Sequence, residues 1–206
     1  MDFIINVLGK KDTSWIQSAI WRCNNMNNNQ TLDWIVKIAE DYNNPIIGVE
    51  CNGIGEALVE RLYYDIEYDN ILSTKRNNDT KKWELYYGGL IKGATLGIKT
   101  TNSLKLAAGD RLKELFAKKR LIIHDIETIK EFNTFIRDGA SYAAETGHTD
   151  DICMTYMLFA WVESNEMFYD LLNDNGTNQM LFETPVNPIN MNNYEEYMSI
   201  DDFLKN

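Results

Sequence analysis

Asp150 and Asp151 stand side by side at the entrance to an apolar run, residues 152–161, that has almost no polar face. A helix of that composition is normally entered through a neutral cap. Capping accounts for one of the two carboxylates, because an Asp at a helix entrance accepts first-turn N–H groups and complements the helix dipole. The second repels the first, and a bound cation is a common way to stabilise such a pair. Glu50 is the other residue of this kind. It ends the short apolar run of residues 45–49, and Asn52-Gly53-Ile54-Gly55 then turns the chain into a helix. A strand-end Glu with a helix-entry Asp pair suits two-metal phosphoryl chemistry, in which two Mg²⁺ or Mn²⁺ ions about 3.5–4 Å apart activate water and stabilise the leaving oxygen. Hard cations of this kind take carboxylate oxygens. From spacing alone, Glu50 reads first as a solvated strand end or a salt-bridge partner. A cap with a solvated neighbour explains Asp150 and Asp151 as well as metal binding does.

Other polar residues carry weaker signals. His148 has the chemistry of a general base or ligand, and a polar surface position is its simpler account; His124 reads as structural. Lys99, Lys105, Lys118, Lys119 and Arg120 have the charge for a phosphate track, although solvated side chains explain most of them. Gly53-Ile54-Gly55 lacks the rest of a dinucleotide fingerprint. No Gly-Lys-Ser/Thr loop is present, which excludes ATP binding of that type. Cys51 and Cys153 flank the acidic residues in sequence, without an identifiable base to activate a thiol.

Composition sets the frame for these residues. With 206 residues, 44% of them hydrophobic and 12% aromatic, the chain has material for one domain with a sizeable core and a tail. A net charge of −11 argues against a general nucleic-acid binder, since phosphate contacts need Lys and Arg. It leaves room for a local basic groove or for contact with phosphate through metal ions. The three cysteines are widely spaced and show no zinc pattern, so reduced thiols in a cytosol-like compartment are expected. The start does not read as a signal peptide, and no apolar run reaches membrane-spanning length.

The elements expected to position the candidates alternate in type. Residues 2–8 and 14–21 read as an antiparallel hairpin. The Asn-rich stretch 24–29 reads as a loop, and Thr31 as the cap of a helix through about Tyr42. Residues 45–50 read as a buried, parallel strand with Glu50 at its carboxyl edge, where open α/β sheets place their sites. A helix follows through about Tyr64. Residues 70–101 are less regular, with an exposed strand expected at 83–87. A helix is expected from about Leu104 to Lys118, capped by Asn102 or Ser103. A short strand follows at 120–123, then a helix from Asp125 or Thr128 through about Phe135, and a hairpin turn at 137–140. The apolar helix beginning near Asp151 comes next, and the segment beyond about Asn173 is polar and acidic.

Taken together, the motifs resemble the nuclease domain of tailed-bacteriophage large terminases. Val49-Glu50-Cys51-Asn52-Gly53-Ile54-Gly55 before a helix resembles that family's second acidic motif. Lys99-Thr100-Thr101-Asn102-Ser103 resembles its Lys-Thr segment. Arg120-Leu121-Ile122-Ile123-His124-Asp125 with Thr128-Ile129-Lys130-Glu131-Phe132 resembles the strand and helix after it. Gly147-His148-Thr149-Asp150-Asp151 with Met154 resembles the terminal Gly-x-His-Asp-Asp motif, with the His displaced by one place. The likeness covers about residues 2–162, and the motifs keep the family's order.

The resemblance implies an α/β, RNase H-like mixed sheet flanked by helices, spanning residues 1–165, with an acidic extension at 166–206. It implies an endonuclease that cuts concatemeric double-stranded DNA during genome packaging, using Mg²⁺ or Mn²⁺ held by an acidic triad. Glu50 would be its second member and Asp151 its third, with Asp150 as an auxiliary ligand and Lys99 and Lys105 as phosphate contacts. The implied setting is the cytoplasm of an infected bacterial host. Other motor subunits or the portal would be partners, with no membrane contact and no ATP site. Asp2-Phe3 matches only a later Asp-aromatic pair of the family. The first acidic strand and the ATPase domain are therefore expected to lie outside this sequence, and Asp2 is a possible substitute ligand. An alternative follows from that departure: a non-catalytic assembly module that docks to a motor or portal subunit. A sheet lacking one strand is also expected to self-associate or to pair with an upstream fragment.

Overall fold

A computed structural model describes residues 3–88, 91–139 and 141–173. Asp2 and residues 174–206 lie outside them. The chain folds as a mixed α/β structure with small sheets and six described helices.

β1 (Phe3–Lys11) and β2 (Ser14–Cys23) form the expected antiparallel hairpin. β2 also pairs in parallel with β6 (Leu121–Ile122), giving the sheet order β1-β2-β6. Among the described residues, β1 is thus an outer strand. Gln17, buried on β2, fastens the connection after β6. Its Oε1 accepts the backbone N–H groups of His124 and Asp125, and its Nε2 donates to Thr128 Oγ1. That fixes the entrance of α4 (Ile126–Asn133), whose N-cap is Asp125.

A second sheet has the order β4-β3-β5, built from β3 (Leu72–Arg76), β4 (Trp83–Tyr87) and β5 (Thr95–Leu96). Only β4 among these has an alternating apolar pattern. Ser73 and Thr74 make β3 look like a loop, yet both are buried. Residues 46–50 do not form the continuous strand expected. They are extended and make two isolated parallel bridges, Ile47 with Ile71 and Glu50 with Ile98. The segment passes from the start of β3 to the residues after β5, so neither partner supports an unbroken ladder.

Helix α1 (Asn28–Asp41) starts earlier than Thr31. Asn27 is its cap: Oδ1 accepts the N–H groups of Asn29 and Gln30, and the Gln30 side chain accepts the Asn27 N–H. The Asn-rich stretch therefore ends in a capping box, because Asn is among the best N-cap residues. α2 (Ile54–Tyr64) follows the Glu50 segment. α3 (Asn102–Ala117) is capped by Thr101, not by Asn102 or Ser103, through a bond from the Leu104 N–H to Thr101 Oγ1. α4 stops at Asn133, and Phe135 already belongs to β7 (Phe135–Asp138), which forms a hairpin with β8 (Ser141–Ala144).

α5 (Asp151–Glu163) is the central helix, with ten of its thirteen residues buried. That explains the missing polar face. α6 (Glu166–Asn173) lays Phe168 and Leu172 into the same core, where Phe168 stacks on Trp15 at 5.8 Å. The buried residues fall into two groups. One joins α3 and α5 with the β1-β2-β6 sheet; the other gathers Leu58, Val59 and Leu62 of α2 with Leu32 of α1, Ile71 and Leu96. Among the described residues, no helix is long and apolar enough to cross a membrane.

Candidate functional site

Glu50 is held by backbone and side-chain contacts. The Cys51 N–H donates to the Ile98 carbonyl at 3.0 Å, and the Ile98 N–H donates to Val49 at 2.7 Å, which locks the strand end in place. Two side chains then orient the carboxylate. Thr100 Oγ1 donates to Glu50 Oε1, and Asn52 Nδ2 lies 3.4 Å from the same oxygen. Asn52 also donates to the Thr100 carbonyl at 3.0 Å, closing a small ring of contacts.

The turn after Glu50 explains the Gly-x-Gly spacing. Gly53 is the N-cap of α2 with φ +77°, a left-handed conformation that glycine adopts without strain. At Gly55, a Cβ would lie 1.7 Å from the Glu50 carbonyl oxygen. These glycines press α2 directly against the strand end, and no dinucleotide loop is involved.

Asp150 and Asp151 occupy the N-cap and the first helical position of α5, and both are half-buried. Asp150 stands at the N-cap position without making a side-chain cap hydrogen bond. The cap comes from another element. Glu131, buried near the end of α4, accepts the Cys153 N–H through Oε1 at 2.8 Å and the Thr149 hydroxyl through Oε2 at 3.3 Å. Arg22 of β2 approaches the same carboxylate at 3.9 Å. Desolvation pushes the Glu131 pKa above the ordinary carboxylate value, against the lowering effect of these donors. Because Glu131 meets the first-turn donors, Asp150 is not used as their cap.

Glu50 and Asp151 line one cavity of about 400 Å³, together with Asn52 and Thr155. The second and third members of the expected triad thus lie on the wall of one long cavity, which also reaches Lys10 and Leu172; Asp150 is adjacent in sequence but does not line it. Asp2, the proposed substitute, lies outside the described residues. Among the described residues, no group of three or more His, Cys, Asp or Glu side chains is clustered as a metal site. The donor chemistry at Glu50 and Asp151 suits a hard cation, since both offer carboxylate oxygens.

The basic candidates divide. Lys99 is exposed and directly follows Ile98, the bridge partner of Glu50; Lys105 sits one turn inside α3. Neither lines the cavity. Lys118 is paired with Glu114, and Arg120 binds the Thr13 carbonyl at 3.2 Å and the buried Glu163 at 3.3 Å. Those two serve the fold. His148 is exposed. Burial pushes the Cys51 and Cys153 thiols up, away from the reactive thiolate.

Three contributors escaped the sequence reading. Thr100, Asn52 and Glu131 all lay inside the quoted motifs without an assigned role. Only the tertiary fold shows that Glu131 caps a helix other than its own. No protein-family model matches the chain.

Proposed function

We propose that the chain is an RNase H-like, metal-dependent endonuclease domain of the phage large-terminase type, acting on double-stranded DNA. The observation that carries this reading is the meeting of Glu50 and Asp151 on one cavity, with Glu131 supplying the cap of α5. Glu50 and Asp151 would hold Mg²⁺ or Mn²⁺, and Asp150 would support them. The ion would supply the positive charge that polarises the scissile phosphodiester and its attacking water. Thr100 and Asn52 fix the Glu50 carboxylate before any ion arrives, which lowers the cost of organising the site. Lys99 and Lys105 would contact DNA phosphates flanking the cut.

The test is incubation of the purified chain with plasmid DNA and Mn²⁺ or Mg²⁺, alongside a chelator control and the Glu50→Ala and Asp151→Ala variants. Cutting that requires the ion and both carboxylates is the expected result. Undiminished cutting by either folded variant would refute the assignment. A second reading, a docking module that does not cut, is favoured by the position of β1 at the edge of its sheet. It predicts a folded chain that leaves plasmid intact under every ion condition and binds a motor or portal subunit.

A further inference from the structure

Positive charge is unevenly distributed along the chain. Residues 75–99 carry six of its 20 Lys and Arg side chains and only two of its 31 Asp and Glu, a net +4 within a total of −11. The fold gathers most of that charge on one ribbon. β3 and β4 pair through Lys75 with Glu84 and Arg76 with Trp83, so residues 77–82 connect the two strands. Arg76, Lys81 and Lys82 are exposed at that end of the ribbon. Lys92 is exposed beside them, with its carbonyl accepting from Lys75 Nζ at 3.0 Å.

These bases are not spent on the fold. Arg22, Arg61, Arg111, Lys118, Arg120 and Lys130 each meet a carboxylate of the chain. Among the described residues, Arg76, Lys81, Lys82, Lys92 and Lys99 form no ion pair. Glu84, the acid on β4, is engaged by Asn77 Nδ2 at 2.6 Å and by the Tyr86 hydroxyl at 2.8 Å. Asn77 also builds the turn. Its Oδ1 accepts the Asp79 and Thr80 N–H groups at 2.8 and 3.0 Å, its carbonyl accepts the Lys81 N–H at 3.0 Å, and its own N–H donates to the Lys82 carbonyl at 2.8 Å. Charge presented from a turn ordered in this way loses less conformational freedom on binding.

The ribbon is also close to the candidate site. Lys92 lies six residues before Ile98, the bridge partner of Glu50. A chain of that length spans at most about 22 Å, less than the roughly 34 Å of one duplex turn. Lys99 follows Ile98 directly. A duplex over Glu50 therefore has phosphates within reach of the ribbon less than one turn away. An acidic protein that takes up a polyanion needs a local positive surface, and exposed, unpaired Lys and Arg supply it.

We infer that the β3-β4 ribbon is a phosphate-binding arm. Arg76, Lys81, Lys82 and Lys92 hold the backbone of duplex DNA beside the cut, without reading its base sequence. The arm takes its ligand from the nuclease reading and places the grip on residues apart from the carboxylates that would hold the metal.

The test titrates a fluorescent duplex of about 30 base pairs with the full chain, in chelator and across a salt series, and reads anisotropy. One triple variant carries Arg76→Gln, Lys81→Asn and Lys82→Gln. The control triple carries Lys11→Gln, Lys37→Gln and Lys130→Gln, which removes the same charge from other elements. Far-UV circular dichroism and Tm establish that both are folded. The ribbon variant should bind at least about tenfold more weakly at about 0.1 M salt, with the slope of log K against log salt reduced by about 2.7 for three lost contacts. The control should keep the native slope, and a duplex of unrelated sequence should bind as tightly as the first. A ribbon variant that binds like the native chain overturns the inference. So does an equal loss in the control, which would make the effect one of overall charge, and so does a native chain that binds no duplex. Plasmid cutting is scored separately. Ribbon-dependent binding without cutting supports the arm and counts against the nuclease; cutting with binding indifferent to the ribbon does the reverse.

Discussion

The Glu131 carboxylate accepts the Cys153 N–H at 2.8 Å, so a residue of α4 caps the buried entrance of α5. Desolvation is the largest influence on this group and raises its pKa, so the folded state holds the proton more tightly than the unfolded chain does. The stability associated with that proton is complete below the ordinary carboxylate pKa. It is lost as pH rises through the raised, folded value. Glu131→Gln keeps an acceptor and removes the titration. Urea unfolding across pH 4 to 8 should show the native protein losing stability relative to the Gln variant as pH rises. Parallel curves would refute the account. Glu131→Ala leaves a buried N–H without its acceptor and should cost about 1–3 kcal/mol at pH 4, and less as pH rises.

Thr100 holds the Glu50 carboxylate across fifty residues of chain, and Asn52 braces both. If the site binds metal, these are the groups that orient a ligand. Thr100→Val keeps the shape and removes the donor. Cutting should fall about 10–100-fold, with a higher Mn²⁺ concentration needed for half-maximal rate and little change in Tm. Thr100→Ser should restore most of the activity. An unchanged metal dependence in Thr100→Val would mean that Glu50 is not a ligand.

Legibility followed locality. The β1-β2 hairpin, the turn into α2 and the apolar α5 depend on neighbours in sequence, and all were readable. β3 was missed because Ser73 and Thr74 are polar yet fully covered by the surrounding sheet and helices. The start of α1 was misplaced because a run of asparagines masks the single Asn27–Gln30 capping box. Glu50 and Asp151 could be named from their element ends. Their shared cavity could not be read, since it arises from the separation of two sheets that no local pattern encodes. The same holds for Glu131, whose partner lies twenty-two residues away on a different helix.

Gly55 is the tightest point beneath the candidate site. A Cβ there would stand 1.7 Å from the Glu50 carbonyl oxygen and 2.9 Å from its carbon. Both are backbone atoms, so the clash cannot be relieved by a side-chain rotation. Gly55→Ala must push α2 away from the strand end or shift Glu50 itself. A loss of stability above the roughly 1 kcal/mol of an average substitution is expected, with loss of any cutting. Gly53→Ala meets no atom within 4 Å and acts only through its φ of +77°. It should cost about 1–2 kcal/mol and leave Glu50 in place. Equal effects from the two substitutions, measured by thermal unfolding and plasmid cutting, would contradict this distinction.

The far end of α5 is anchored by charge. Glu163 is fully buried; Arg111 reaches it from α3 at 2.6 Å and Arg120 at 3.3 Å, and the Tyr169 hydroxyl of α6 donates to it. The Glu163 bond holds the Arg111 guanidinium firmly in its charged form. Removing one partner of such a group leaves charge uncompensated in the interior, at a cost of about 3–5 kcal/mol. Arg111→Ala should approach the lower end of that range, because Arg120 and Tyr169 remain. Tyr169→Phe removes a neutral hydroxyl that donates to Glu163 and accepts from Arg111 at 3.1 Å, and should cost about 1.5–2 kcal/mol. The network lies at the opposite end of α5 from Asp151, so Tyr169→Phe should leave metal-dependent cutting unchanged at temperatures where the variant is folded. Thermal unfolding of the two variants gives the order directly, and a Tyr169→Phe loss equal to that of Arg111→Ala would show that the charge at Glu163 is not what anchors the helix.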